Sequence, residues 1–287
     1  MRTFGTELKK ILLSPFFLGS VVAVSILCLT AVCCTDHETG HNYSVLEVMI
    51  GRITGKIDPL KEYLYAEKVF TYGLSDWFLM FAPVILGLGT ASVSFVEKRS
   101  GYRTFGITRT GKRKYALSKL FSCLLMGGLS CLAGFAVYGA LAFAFLPHLK
   151  DMPQMYKDNI LKIEFRDGIA KPLIFVSLAV FLYGVAMSLL PLIFSEVFRS
   201  LYTIVGGAFI IKYFCNTAYN GLQQTDLLPY DSVLFRILNI DALEGFYNYG
   251  KNSIYILLTH ILLVLLGSFI YVKLVEKKGA GLEKNFD

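Results

Sequence analysis

Residues that could carry out chemistry are few in this chain, and the most conspicuous group has the pattern of a phosphate-binding loop. Residues Gly106–Lys112 read G-x-x-x-x-G-K, the beginning of a P-loop. The next position is Arg113, where a Ser or Thr hydroxyl is needed to hold Mg²⁺. No strand pattern precedes the segment, and the chain has no soluble stretch of ATPase size. We therefore expect no cofactor, no metal site and no enzymatic activity in this chain.

Two polar side chains within apolar stretches form a second candidate group. Lys212 and His260 lie where a charged or polar group is costly and usually faces a cavity or a partner. They are the one pair that an intramembrane enzyme could use, and no H-E-x-x-H or G-x-S-G motif accompanies them. Lys212 could instead extend to the membrane surface. His260 could instead form a hydrogen bond to a neighbouring helix.

The composition predicts a membrane protein. Of 287 residues, 55% are apolar and only 17% are charged, and the mean hydropathy is +0.56. A helix needs about 20 apolar residues to cross a bilayer. Alternation typical of a barrel is absent, so we expect an all-α integral membrane protein with six transmembrane helices. The predicted spans are Phe16–Thr35, Leu74–Val96, Tyr115–Leu146, Pro172–Phe194, Leu201–Thr217 and Ser253–Val275.

The distribution of Lys and Arg predicts the orientation. The densest cluster lies between the second and third spans and consists of Lys98, Arg99, Arg103, Arg109, Lys112, Arg113 and Lys114. Cytoplasmic segments near spans carry such an excess, so both termini and the loop 97–114 are expected in the cytoplasm. The segments 36–73, 147–171 and 218–252 are then outer loops. Because the basic residues are concentrated beside the spans, we expect a lipid bilayer and no nucleic acid as their partner.

The N-terminal residues 1–15 predict an amphipathic helix on the inner membrane surface. Phe4, Leu8 and Ile11 recur at helical spacing, and Pro15 marks a break before the first span. Lysines on the other flank suit lipid headgroups. A flexible basic leader is the alternative.

The segment after the second span predicts a short cytoplasmic helix. Tyr102 and Phe105 alternate with Arg103 and Arg109, which suits a contact surface. Gly101 and Gly106 are expected to permit tight backbone geometry at the two ends of this helix. The basic residues 112–114 are explained if their charge only sets the orientation of the chain in the membrane. This role does not explain the aromatic pair.

This arrangement resembles the permease subunits of bacterial type-2 ATP-binding-cassette (ABC) exporters. Residues Glu97–Gly101 match the E-x-x-S-G of that family, whereas Tyr102 replaces its usual Thr, and Thr-Arg-Thr-Gly at 108–111 replaces its Pro-x-Ser-Arg. The resemblance implies that this segment is a coupling helix that docks on a separate ATPase subunit. The residues it assigns to that contact are Glu97, Arg99, Ser100, Gly101, Tyr102, Arg103, Thr104, Phe105, Gly106, Ile107, Thr108 and Arg109.

The resemblance further implies a multi-pass subunit of the bacterial plasma membrane that works with two ABC ATPase subunits, which bind the ATP and Mg²⁺. A second permease copy or a paralogue would complete the transporter. Spans rich in Phe, Leu and Tyr favour an amphipathic or hydrophobic cargo, such as a peptide, bacteriocin, toxin or drug-like molecule. Lys212 and His260 are candidates for its path. The alternative is a non-transporting immunity or sensor protein that binds peptide through its outer loops.

Overall fold

The computed structural model of the protein describes residues 2–35, 40–56, 64–74, 76–151, 170–224 and 253–283, and most of them are helical. In chain order the elements are α1 (Arg2–Leu12), α2 (Pro15–Leu29), β1 (Val32–Thr35), β2 (Asn42–Ser44), α3 (Val45–Ile53), α4 (Ala66–Tyr72), α5 (Asp76–Leu86), a π-helical segment (Gly87–Ala91), α6 (Ser92–Arg99), α7 (Tyr102–Thr110), α8 (Lys112–Phe145), a 3₁₀ turn (Leu149–Asp151), α9 (Ala170–Val197), α10 (Leu201–Gln224) and α11 (Ser253–Glu283).

Three helical stretches are long and apolar enough to cross a membrane. They are Trp77–Arg99, Lys112–Asp151 and Leu173–Val197, and they coincide with the second, third and fourth predicted spans. The pair Phe4–Leu12 and Pro15–Leu29, bent by 59° between its members, makes a fourth if it is counted as one span. The protein is therefore mostly helical, with three or four candidate membrane spans. Helices α10 and α11 occupy the positions predicted for the fifth and sixth spans.

The predicted first span is too long at its C-terminal end. Helix α2 ends at Leu29, and the following residues form strand β1, which pairs antiparallel with β2. A short apolar run such as Val32–Cys34 has the same composition in a helix and in a strand, so hydropathy alone extended the span to Thr35. The two strands are an exception to the all-α prediction. The greater part of the second and third predicted outer loops, residues 152–169 and 225–252, lies outside the described residues.

The break between α1 and α2 occurs where Pro15 predicted it. The Ser14 hydroxyl accepts a hydrogen bond from the Phe16 amide at 3.2 Å, and Pro15 is the first residue of α2. Pro is well suited to that position because the first amides of a helix have no carbonyl partner within it. On α1, Glu7 and Ile11 are buried one turn apart. Helix α1 therefore packs against the rest of the protein along one face.

Pro83 lies inside α5 and leaves a carbonyl without its helical donor. The residue four positions earlier is Leu79, and its carbonyl oxygen accepts a hydrogen bond of 2.6 Å from the Tyr183 hydroxyl on α9. The Ser20 hydroxyl on α2 likewise donates to the Ile85 carbonyl at 3.1 Å, just before the π-helical segment. Lipid offers no donor to such groups, so side chains from neighbouring helices satisfy them.

Helices α8 and α9 form the centre of the bundle and approach closely at two glycines. A Cβ atom added to Gly127 would lie 2.9 Å from the Gly184 carbonyl oxygen, and one added to Gly184 would lie 2.6 Å from the Gly127 carbonyl oxygen. Small residues permit this approach, which is typical of helix pairs in membranes. Beside this crossing, Ile11, Ile107, Leu120 and Tyr271 belong to one buried cluster that joins α1, α7, α8 and α11.

Candidate functional site

Helix α7 is a separate short helix between two glycines with positive φ angles. Gly101 has a φ of +75° and Gly111 a φ of +82°, and they flank Tyr102–Thr110. These backbone conformations strain any residue with a Cβ, so the glycines allow the chain to turn from α6 into α7 and from α7 into α8. The short helix was predicted, whereas Gly106 is not at its end. It lies inside α7, where an added Cβ would be 3.0 Å from the Tyr115 ring.

The predicted contact surface Tyr102–Thr108 has two faces in the structure. Tyr102 is 43% exposed and Phe105 is 60% exposed, and Thr108 and Arg109 are exposed on the same helix. Arg103 and Ile107 are buried, so they contact the rest of this chain. Their role in a partner contact stays a prediction, and in this conformation both side chains face the interior of this chain. Thr104 and Gly106 are half-buried.

Glu97 was expected among the contact residues and is instead the centre of a buried ionic cluster. Its carboxylate accepts hydrogen bonds from Lys119 at 2.7 Å, Lys10 at 3.0 Å and the Tyr115 hydroxyl at 3.2 Å. Glu7 completes the cluster, at 2.8 Å from Lys10 and 3.0 Å from Lys119. We call Glu7, Lys10, Glu97 and Lys119 the charge cluster. It joins α1, α6 and α8.

The charge cluster is balanced, with two carboxylates and two ammonium groups. Lys119 is only 1% exposed, and Glu7 and Glu97 are each 7% exposed. Desolvation of such groups is costly, and the attraction between them offsets it only while every partner is present. Removal of one partner from a buried pair typically costs about 3–5 kcal/mol. The cluster therefore fixes the position of α1 and α6 relative to α8.

A second set of contacts ties α6 and α7 to the end of α9. The Arg103 guanidinium lies 2.6 Å from a Glu196 carboxylate oxygen, and both side chains are buried. Lys98 donates to the Ser195 carbonyl at 2.9 Å and to the Glu196 carbonyl at 3.4 Å. These carbonyls belong to the last turn of α9, where a cation also interacts favourably with the helix dipole. Displacement of α7 would thus act directly on α9.

A cleft of about 730 Å³ separates α7 from α1 and from the beginning of α8. Its walls combine aromatic rings, hydroxyls and charged groups, with Lys10 placed 4.1 Å from the centre of the Tyr102 ring. The lining residues are Thr6, Glu7, Tyr102, Phe105, Gly106, Arg109, Thr110, Lys114, Tyr115 and Ser118. The outward side chains of α7 therefore border a recess on the same end of the bundle.

The two candidates for a polar path are buried on different helices. Lys212 on α10 is 4% exposed and His260 on α11 is 3% exposed. Helix α10 packs on α5 and α9, whereas α11 packs on α8 and α9. The burial of Lys212 does not agree with a side chain that extends to the membrane surface. Within the described ranges, no group of three or more His, Cys, Asp or Glu side chains is arranged to hold a metal ion.

Four charged residues were not predicted as part of the site. They are Glu7, Lys10 and Lys119 of the charge cluster, and Glu196. Lys119 gave a signal, because it is a charged residue inside the predicted third span. Glu7 gave a weaker one, as an acidic residue in a basic amphipathic segment. Neither signal identifies the partner, since Glu7 and Lys119 are 112 positions apart.

Comparison with known proteins adds no relative. No protein-family model matches the chain, and no curated protein matches it.

Proposed function

We propose that this chain is the membrane-spanning subunit of an ATP-driven ABC exporter, with α7 as the helix that contacts the ATPase. The observation that supports this most is the division of α7 into two faces. Tyr102, Phe105 and Arg109 lie on its exposed side, while Arg103 pairs with Glu196 inside the bundle. An exposed aromatic and arginine face on a rigid support is well suited to a small, force-transmitting interface.

The proposal includes six spans, cytoplasmic termini and α1 on the inner membrane surface. Two ATPase subunits bind ATP and Mg²⁺ below the membrane, and a second permease copy or paralogue completes the path. When the ATPase subunits close, they press on Tyr102 and Phe105. Arg103 on α7 pairs with Glu196 on α9, and Glu97 on α6 pairs with Lys10 on α1 and Lys119 on α8, so the displacement reaches α1, α8 and α9 at once. The spans then move between inward-facing and outward-facing or collapsed arrangements.

The cargo that this proposal favours is amphipathic or hydrophobic, such as a peptide, bacteriocin, toxin or drug-like molecule. The helices are rich in aromatic and aliphatic side chains, and most of the buried charged side chains that the structure describes lie near α7, namely Glu7, Glu97, Arg103, Lys119 and Glu196. Lys212 and His260 are buried polar groups on α10 and α11, and we include them in the proposed path. Lys212→Met should then change the range of substrates that the assembled transporter exports.

The proposal is tested by asking whether an ATPase co-purifies with the chain, and whether Phe105→Asp abolishes this. The tagged chain is purified in mild detergent from its native membrane, and ATP hydrolysis is measured in the eluate. We expect hydrolysis with the wild type and its loss with Phe105→Asp. The matched control is Tyr202→Asp, an aromatic residue 90% exposed at the beginning of α10 and outside α7. Hydrolysis that survives Phe105→Asp, or that is absent from the wild type, would contradict the proposal and favour a protein without a transport partner.

A further inference from the structure

The cleft beside α7 has an excess of positive charge on its outer wall. Arg109 and Lys114 line it, and both are exposed. The acid in the lining, Glu7, is already compensated by Lys10 and Lys119. The beginning of α8 adds its positive dipole end, because Lys114 lies in the first turn of that helix. An anionic group is the natural occupant of this recess.

A second recess continues from the cleft along α8 and is almost wholly apolar. It has a volume of about 410 Å³ and is lined by Phe4, Leu117, Ser118, Phe121 and Leu125. Leu117, Phe121 and Leu125 are four residues apart, so they form one stripe on the helix. The stripe extends over about 12 Å, since each helical residue adds about 1.5 Å. An extended hydrocarbon chain suits such a groove.

Ser118 lies at the junction, because it lines both recesses. Its hydroxyl oxygen is buried and has no hydrogen-bond partner among the residues that the structure describes. A buried hydroxyl of this kind is costly unless a ligand or water satisfies it. Ser118 therefore marks the point at which the basic cleft and the apolar groove meet.

We infer that these two recesses form a binding site for one anionic phospholipid, with the headgroup phosphate at Arg109 and Lys114 and an acyl chain along Leu117, Phe121 and Leu125. Arg109 can hold a phosphate through two parallel hydrogen bonds, and Lys114 adds a second charge. The apolar groove distinguishes a lipid from free phosphate, because only a lipid occupies both parts. The site does not depend on export, although it shares Arg109 with the face of α7 that is proposed to contact the ATPase.

Native mass spectrometry of the full chain in detergent, without any ATPase, measures the binding directly. We expect one molecule of dioleoyl phosphatidylglycerol to bind at least tenfold more tightly than dioleoyl phosphatidylcholine, which has the same chains. Arg109→Gln/Lys114→Gln should weaken phosphatidylglycerol binding about 30-fold, or about 2 kcal/mol at about 1.4 kcal/mol per tenfold. The matched control, Arg99→Gln/Arg113→Gln, removes two exposed cations that do not line the cleft and should change it less than threefold.

Two further comparisons separate a lipid from a free anion. Phe121→Ala should weaken the binding of phosphatidylglycerol and leave that of glycerol 3-phosphate unchanged. Val137→Ala, an exposed apolar residue elsewhere on α8, should change neither. Equal binding of phosphatidylcholine, equal loss in both double variants, or binding of inorganic phosphate as tight as that of the lipid would overturn the inference. Because the ATPase is absent from this assay, its outcome is independent of the exporter proposal.

Discussion

Glu97→Gln tests whether the charge cluster holds the α7 end of the bundle together. The change keeps the size of the side chain and removes its charge. Lys119 and Lys10 then share the single carboxylate of Glu7, and one positive charge is left uncompensated beside a lysine that is 1% exposed. Breaking a buried pair costs about 3–5 kcal/mol, and the remaining amide oxygen places Glu97→Gln near the lower end.

Thermal unfolding of the purified protein in detergent measures this cost. If 1 kcal/mol corresponds to about 2–4 °C in a chain of this size, about 3 kcal/mol lowers the midpoint by about 6–12 °C. The control is Glu276→Gln. Its pair with Lys273 is longer, at 3.5 Å, and its side chains are 33% and 63% exposed, so the expected loss is below about 1 kcal/mol.

A double variant distinguishes lost charge balance from lost packing. Glu97→Gln/Lys10→Met removes one charge of each sign and leaves the Glu7–Lys119 pair at 3.0 Å. We expect it to be more stable than the sum of the two single changes, by about 1 kcal/mol or more. A Glu97→Gln protein as stable as Glu276→Gln, or strictly additive single changes, would refute the argument that the cluster is a coupled buried unit.

Three smaller perturbations test other parts of the structure. Tyr183→Phe removes the hydroxyl that donates to the Leu79 carbonyl, which has no helical donor because of Pro83. We expect thermal unfolding to show a loss of about 0.6–1.7 kcal/mol in stability. The control Tyr202→Phe, at an exposed position, should cost nothing measurable. Gly101→Ala forces a Cβ into a φ of +75° and should cost about 1–2 kcal/mol, whereas Gly19→Ala, in open space within α2, should be neutral or stabilising. At the beginning of α3, the Ser44 backbone amide and hydroxyl lower the pKa of Glu47 below its ordinary 4.5. The ionised Glu47 carboxylate therefore stabilises the folded state above pH 4.5, and this contribution is lost as the pH falls through the lowered pKa. The difference in unfolding midpoint between wild type and Glu47→Gln should shrink over that range, and a difference independent of pH would contradict the assignment.

The helices were predictable from the sequence because each depends on local composition. Apolar runs predicted helices at all six places, and Pro15 predicted the break after α1. A short helix after Gly101 was predicted too, although its end was placed near Gly106, whereas α7 extends to Thr110. The end of the first span was wrong, since Val32–Cys34 suits a strand as well as a helix. The strand forms by pairing with Asn42–Ser44, and hydropathy carries no information on that pairing.

The direction in which each side chain near α7 faces could not be predicted from the sequence, for a different reason. The residue types of Glu97 and Arg103 show that these side chains are charged. They do not show whether the side chains face a partner or the interior of this chain. Arg103 pairs with Glu196, 93 positions later, and Glu97 with Lys10, 87 positions earlier. A basic residue near a membrane is expected to set the orientation, so an inward-facing arginine has no local signature. Tyr102 and Phe105, by contrast, have a local sequence signature, because aromatic side chains among cations are typical of a contact surface. Both are exposed in the structure.

Photo-crosslinking from position 105 tests the central claim most directly. Benzoylphenylalanine replaces Phe105 in one sample and the exposed Val137 of α8 in the other, and both are irradiated in the native membrane. The account predicts that position 105 crosslinks to a polypeptide that binds ATP, and that position 137 does not. Crosslinks from position 105 to lipid alone, or to the same polypeptides as position 137, would contradict the claim that α7 presents its exposed face to an ATPase.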